Sequence, residues 1–301
     1  MNKTILVIEP EIAERNSAAK TFLETTIALS DGEQIHLFEM GEGAPLFVLH
    51  GWSGTHERNR TMMAELAKHY RVVAWDARGH GTHAYRTTTP VTLEQLADDL
   101  HEALNALGLS RLSLIGHSMG GALSWQYMRK YGQGRIDKSV ILDMTPRLST
   151  DQQWRWGVQF DFPPARQAAL IEAMQNDLPE TILKLGASGG NEATRQLYEA
   201  NDLQIQLQRS YFKSLNPRPI IELWQSLVAQ DFRDFLTGLN VPTLLIYGGV
   251  SQYYGKELAD WMHATLPCSR LYFMPQADHS PQIMFPMEVA RAIRDFLMDA
   301  K

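Results

Sequence analysis

The chain has 301 residues, with 28 Lys and Arg against 34 Asp and Glu, a formal net charge of −6. Charge so mild and scattered excludes the clustered basic face of a nucleic-acid binder, and a single cysteine, Cys268, excludes an intramolecular disulfide framework. The length admits either two domains or one enlarged α/β domain carrying an insertion.

Near the N-terminus, Lys3 precedes an apolar stretch at 5–8 that Glu9-Pro10-Glu11 ends well short of a signal-peptide core. No stretch approaches the roughly 18 apolar residues needed to span a bilayer. The expectation is a cytoplasmic protein acting on a small molecule, with neither membrane nor nucleic acid as partner. Short apolar runs follow at 46–49, 72–75, 112–115, 140–142, 243–247 and 271–273 and read as buried strands, because helices are rarely so short and flanked by turn residues. Helical patterns lie between most of them. The clearest begins with the capping-box signature Thr92-Leu93-Glu94-Gln95, continues through Leu96, Leu100 and Leu104, and stops at Gly108; another begins at Pro286. Strands alternating with helices predict right-handed crossovers and a mostly parallel sheet with its ligand site at the carboxyl ends of the strands.

Between 146 and 240 the alternation fails. Helical segments succeed one another, with breaks at 186–190 and at Asn216-Pro217-Arg218-Pro219. This predicts a helical cap, 146–240, inserted into a core made of 1–145 and 241–301. Its large side chains, Trp154, Trp156, Phe160, Phe162, Tyr198, Tyr211, Phe212 and Trp224, either wall an apolar or aromatic substrate pocket or hold the cap together.

Chemistry concentrates at the strand ends. Gly116-His117-Ser118-Met119-Gly120 closes the run at 112–115 and opens a helical stretch at 122–130, the setting of a nucleophile elbow. A serine hydroxyl needs a base within hydrogen-bond reach and donors where an oxyanion develops. His279, in the loop after the last run, is the candidate base, since a neutral imidazole is suited to proton transfer near neutrality. The backbone N–H groups of Met119 and of Trp52, in His50-Gly51-Trp52-Ser53-Gly54, are the candidate oxyanion donors. His50 is expected to support that loop. No cofactor is expected: there is no His-Glu-x-x-His, no paired cysteine, no phosphate loop and no dinucleotide fingerprint, and His80 and His83 sit in a glycine-rich loop.

The chain resembles the α/β-hydrolase superfamily along most of its length, through His50-Gly51-Trp52, Asp76-Ala77-Arg78-Gly79-His80-Gly81 and Gly116-His117-Ser118-Met119-Gly120, in the family's order. The resemblance implies an α/β fold with a mostly parallel eight-stranded sheet, flanking helices, a helical cap after strand six and a Ser-acid-His triad. It gives Asp76 and Arg78 a structural role. One departure bears on mechanism: where the family usually places its triad acid, after strand seven, this chain has Gly248-Gly249-Val250-Ser251-Gln252. Asp143, ending the sixth run, either replaces that acid or caps the start of the helical segment; Asp278, Glu257 and Asp260 are further carboxylates nearby. The leading expectation is a cofactor-free serine hydrolase cleaving an ester, lactone or thioester through an acyl-enzyme. The alternatives are a cofactor-free dioxygenase with His279 as base and a non-catalytic ligand receptor on the same scaffold.

Overall fold

The computed structural model describes residues 22–81 and 89–299. The apolar stretch at 5–8 and His83 therefore lie outside the described residues. Strands β1 (Leu23–Ala28), β2 (Gln34–Met40), β3 (Pro45–Leu49), β4 (Arg71–Asp76), β5 (Leu112–His117), β6 (Ile136–Leu142), β7 (Thr243–Gly248) and β8 (Ser269–Met274) form one eight-stranded sheet in the order β1-β2-β4-β3-β5-β6-β7-β8. β1 and β2 pair antiparallel, as do β2 and β4; every other neighbour pair is parallel. All six apolar runs are strands. The two strands without such a run are the antiparallel pair: β1 is largely exposed, and β2 interleaves buried Ile35 and Leu37 with exposed or half-buried positions, so neither reads as a continuous apolar segment.

The core helices are α1 (Arg60–Leu66), α2 (Leu93–Ala106) and α3 (Met119–Tyr131). Six helices then follow one another between β6 and β7: α4 (Pro164–Asn176), α5 (Leu178–Ala187), α6 (Glu192–Glu199), α7 (Leu203–Ser214), α8 (Pro217–Val228) and α9 (Arg233–Thr237). The chain closes with α10 (Lys256–Thr265), the short α11 (Pro281–Met284) and α12 (Pro286–Met298). Strand alternation sends Phe47, Trp75 and Leu114 to one side of the sheet, where they pack on Leu96, Leu100, Leu123 and Trp125 of α2 and α3. On the other side, Val48, Val72, Ile115 and Ile246 meet Met62, Met63, Val289 and Ile293 of α1 and α12.

Polar residues fix the helix ends. Thr92 accepts the Gln95 N–H at 3.0 Å, but the Gln95 side chain turns to Asp99 at 3.1 Å, so only half of the expected capping box forms. Asp177, Asn191 and Asn216 cap α5, α6 and α8 in the same way. Buried Lys138 donates to the carbonyls of Phe296, Leu297 and Asp299 at 2.9, 3.0 and 2.7 Å, satisfying the last turn of α12 with a cation.

The Asp76-to-Gly81 segment is structural. Asp76 accepts the His56 N–H at 2.8 Å and its Nδ1–H at 3.0 Å. Arg78, fully buried, forks onto Asp99 at 2.8 and 2.7 Å and reaches Asp31 at 2.6 Å, tying the β1–β2 turn to α2. Asp99→Ala strands that guanidinium without its buried partner and is expected to cost about 3 kcal/mol in urea denaturation. The double replacement Arg78→Met with Asp99→Leu, which removes both charges, is expected to cost less than the single one.

Candidate active site

The parallel half of the sheet delivers its candidate residues in spatial order: Trp52 after β3, Ser118 after β5, Asp143 after β6, Ser251 after β7 and His279 after β8. Ser118 has φ 51° and ψ −118°, a strained conformation held because its own N–H donates to the Leu142 carbonyl at 2.9 Å and α3 starts at once behind it. The flanking glycines are required by space. A Cβ on Gly116 would stand 2.3 Å from the Gly120 carbonyl oxygen, and one on Gly120 would stand 2.2 Å from that of Leu49.

Asp143 also has a positive φ, 49°, and no solvent exposure. Its N–H extends the β6–β7 ladder to the Ile246 carbonyl at 2.8 Å. Its carboxyl group collects three donors: His279 Nδ1–H on Oδ2 at 2.7 Å, the Ser251 hydroxyl on Oδ2 at 2.7 Å and the Gly248 N–H on Oδ1 at 3.1 Å. With Nδ1 facing this acceptor, the His279 proton sits on Nδ1 and Nε2 keeps its lone pair. Ser251, at the place where the family's acid usually stands, thus donates to Asp143, and its Oγ also accepts the Tyr253 and Tyr254 N–H groups at 3.2 and 3.3 Å. Two of the other carboxylates are engaged elsewhere. Asp278 accepts the Ser280 N–H at 2.7 Å and the Gln252 amide at 3.3 Å, and Asp260 pairs with Lys256 at 2.7 Å on the surface.

Several residues that hold the imidazole were given no role by the sequence. His117 Nε2–H donates to the His279 carbonyl at 2.8 Å, with ring centroids 4.9 Å apart, so the residue before Ser118 binds the residue that carries the imidazole. The Gln252 side-chain carbonyl accepts the His279 N–H at 3.0 Å, and Tyr253 stands edge-on to the His279 ring at 4.5 Å. The one available signal was position: Ser251, Gln252 and Tyr253 occupy the stretch where the family's acid would stand.

Facing the elbow, a Cβ on Gly51 would meet the His117 ring at 2.8 Å and Ser118 Cβ at 3.4 Å, which brings the His50-to-Gly54 loop against the nucleophile position. The loop is held around Trp52. His50 Nδ1–H donates to the Gly51 carbonyl at 2.8 Å while its Nε2 accepts the Ala77 N–H at 3.0 Å, and His80 Nε2 accepts the Ser53 N–H at 3.1 Å. Among the described residues, none of these bonds uses the Trp52 amide. Met119, as the first residue of α3, has no intrahelical acceptor for its N–H. The Trp52 indole N–H donates to the Ile220 carbonyl of α8 at 2.8 Å, and its ring lies 4.7 Å from that of Trp224.

The aromatic residues of the helical segment divide. Trp154 and Trp156 pack on each other and on Trp261 of α10, anchoring the segment to the core; Phe162 and Trp224 continue the chain of rings from Trp52; Phe160 is exposed.

A family model described as alpha/beta hydrolase fold matches residues 44–286. The chain belongs to this family. The pimeloyl-[acyl-carrier protein] methyl ester esterase of Nitrosospira multiformis is 26% identical over 260 residues, covering 84% of this chain and 94% of that one. Among solved structures, an esterase from Exiguobacterium antarcticum superposes with a TM-score of 0.79 at 23% identity, over 92% of this chain and all of that one. The enol-lactonase from Burkholderia xenovorans gives 0.75 at 20%, over 91% of this chain and all of that one. The hydrolase fold accounts for the strand order and for the side of the sheet on which these residues gather.

Burial keeps the supporting histidines neutral. The His80 pKa is pulled down to about 3 and that of His50 is also lowered, in both cases first by desolvation; His117 is held well below the ordinary value by desolvation and by neighbouring His279. With both ring nitrogens engaged in hydrogen bonds, His80 has none left for a metal. In the unfolded chain these groups take up protons below about pH 6.5, whereas in the fold they resist, so the unfolded state binds more protons and stability falls as pH falls. The melting temperature is therefore expected to be level from pH 8 to 7 and to drop steeply from pH 6 to 4.5, each histidine adding roughly 1 kcal/mol per pH unit. A level profile down to pH 5 would contradict the neutral assignment.

Proposed function

We propose that the protein is a serine hydrolase that cleaves small esters or lactones by way of an acyl-enzyme, with Ser118, His279 and Asp143 as the triad. The observation that carries this reading is the 2.7 Å bond from His279 Nδ1–H to buried Asp143, made beside an elbow whose serine is strained outward. The esterase named among its relatives, which it matches over nearly that protein's full length, supports the reaction class. In this reading Ser118 Oγ attacks the ester carbonyl as its proton passes to His279 Nε2, and the Asp143 carboxylate stabilises the imidazolium. The N–H groups of Met119 and Trp52 receive the oxyanion. Collapse returns the proton from Nε2 to the departing alkoxide oxygen. Water, deprotonated by the same nitrogen, then releases the acid and restores Ser118.

The segment 146–240 acts as the cap that selects substrate, with Trp224, Phe162 and Trp52 as an apolar and aromatic wall. We place the protein in the cytoplasm, consistent with an exposed, unpaired Cys268. No helix among the described residues is long and apolar enough to cross a membrane.

Ser118→Ala is expected to abolish labelling by a fluorophosphonate probe and to lower turnover of a chromogenic short-chain ester at least about a thousandfold. Turnover that survives this change would defeat the hydrolase and favour chemistry based on His279 alone. Asp143→Asn is expected to lower kcat by about ten-thousandfold, because the imidazole then loses the partner that fixes its tautomer. Pairing Asp143→Ser with Ser251→Asp, which moves the carboxylate to the family's usual strand, is expected to recover part of that loss. If Asp143→Asn turns over like the parent, Asp143 is only a turn residue.

A further inference from the structure

His279 lies in the loop between β8 and α11, where neither a ladder nor a helix takes up its peptide groups. Side chains do so instead. Its N–H donates to the Gln252 side-chain carbonyl at 3.0 Å, and its carbonyl accepts the His117 Nε2–H at 2.8 Å. With Nδ1–H on Asp143 at 2.7 Å, the residue is held at both ends of its backbone and at its ring. The planes of the two flanking peptides set the direction in which the Cα–Cβ bond leaves the chain, and with it the direction in which Nε2 points.

Gln252 is buried, and its amide has one orientation open to it. A backbone N–H at one side requires the amide oxygen there, which turns the two amide hydrogens the other way. Nε2 then donates to the Thr194 hydroxyl at 3.2 Å and to Asp278 Oδ2 at 3.3 Å. Asp278 belongs to the same loop as His279, but Thr194 belongs to the first turn of α6, in the helical segment between β6 and β7. Asn191, the cap of α6, holds Thr194 by accepting its N–H at 3.1 Å. The same segment meets the loop after β7 at two further points. A Cβ on Gly189 would stand 2.0 Å from the Gln252 carbonyl oxygen and 2.5 Å from its Cα, so the break before α6 lies directly on the Gln252 backbone. The Gln159 N–H donates to the Tyr253 carbonyl at 2.9 Å.

An amide whose oxygen is committed to the backbone of His279 and whose hydrogens reach α6 transmits the placement of one to the other. Loss of either partner leaves a buried polar group unsatisfied, and the side chain relieves this by turning away from the partner that remains. We propose that Gln252 is a positioning residue for His279, and that it aims the imidazole at Ser118 only while α6 is seated on it, so that docking of the helical segment is a condition of catalysis.

The base in question is that of the serine-hydrolase reading, on which the proposal rests. Its test is turnover of a chromogenic short-chain ester and the rate of labelling by a fluorophosphonate probe in Gln252→Leu, Thr194→Val and Thr194→Ser, with the urea midpoint of each variant as the check on folding. Gln252→Leu removes acceptor and donors together and is expected to lower kcat and the labelling rate about a hundredfold, with KM within about twofold of the parent. Thr194→Val keeps the side-chain shape but loses one neutral hydrogen bond, and is expected to lower both rates about fivefold; Thr194→Ser, which keeps the hydroxyl, is expected to recover them. A part confined to holding the loops together would lower the urea midpoint and leave both rates unchanged in the folded protein. Parental kcat in folded Gln252→Leu, or a loss of kcat/KM that comes from KM alone, overturns the positioning role. Parental kcat in Thr194→Val overturns the tie to α6, and this variant decides the matter if Gln252→Leu fails to fold. Turnover that Ser118→Ala abolishes leaves the hydrolase standing in each of these cases, whereas turnover that survives Ser118→Ala removes the hydrolase and the proposal together.

Discussion

The buried carboxyl group of Asp143 is the point on which the rest of the site depends. Three donors reach it from three neighbouring strand ends: the Gly248 amide and the Ser251 hydroxyl after β7, and the His279 imidazole after β8. A carboxylate wholly removed from water is costly unless such donors surround it, so the bonds that satisfy Asp143 also fix the loops that supply them. The His279 loop gains two more ties, from His117 and Gln252, and its imidazole has little freedom to turn. Orientation of the His279 imidazole thus follows from solving a burial problem.

Much of this was legible in the sequence because it follows from local rules. Six short apolar runs marked the parallel strands, two glycines bracketed a serine at a strand-to-helix turn, and a proline opened the last helix. The β1–β2 hairpin escaped because its burial alternates along antiparallel strands, and α11 escaped because four residues leave no periodicity. Asp143 was visible as one of two readings. Ser251 was visible only as a departure from the family's pattern; that it donates to Asp143 is a fact of three dimensions, set by the register of β6 against β7. The same holds for His117, whose partner lies 162 residues away.

The supporting histidines show how one residue type takes different parts by environment. His50 and His80 are sealed, neutral and bonded at both nitrogens, and serve as rigid spacers between the β3 and β4 loops. His279 shares their chemistry but keeps one nitrogen unengaged by the Asp143 contact. The sequence context of His50 and His80, among glycines, pointed to loops and that of His279 to a candidate base; the structure adds which lone pairs of His50 and His80 the backbone already uses.

The indole of Trp52 ties the loop after β3 to α8, in the helical stretch between β6 and β7. Its N–H is fastened to the α8 carbonyl of Ile220 and its ring rests on Trp224, while the neighbouring Gly51 lies against Ser118. A rigid-body swing of α8 away from the sheet must therefore either snap this tether or drag the β3 loop with it. Movement of α8 and the position of the β3 loop are consequently mechanically linked through a single indole.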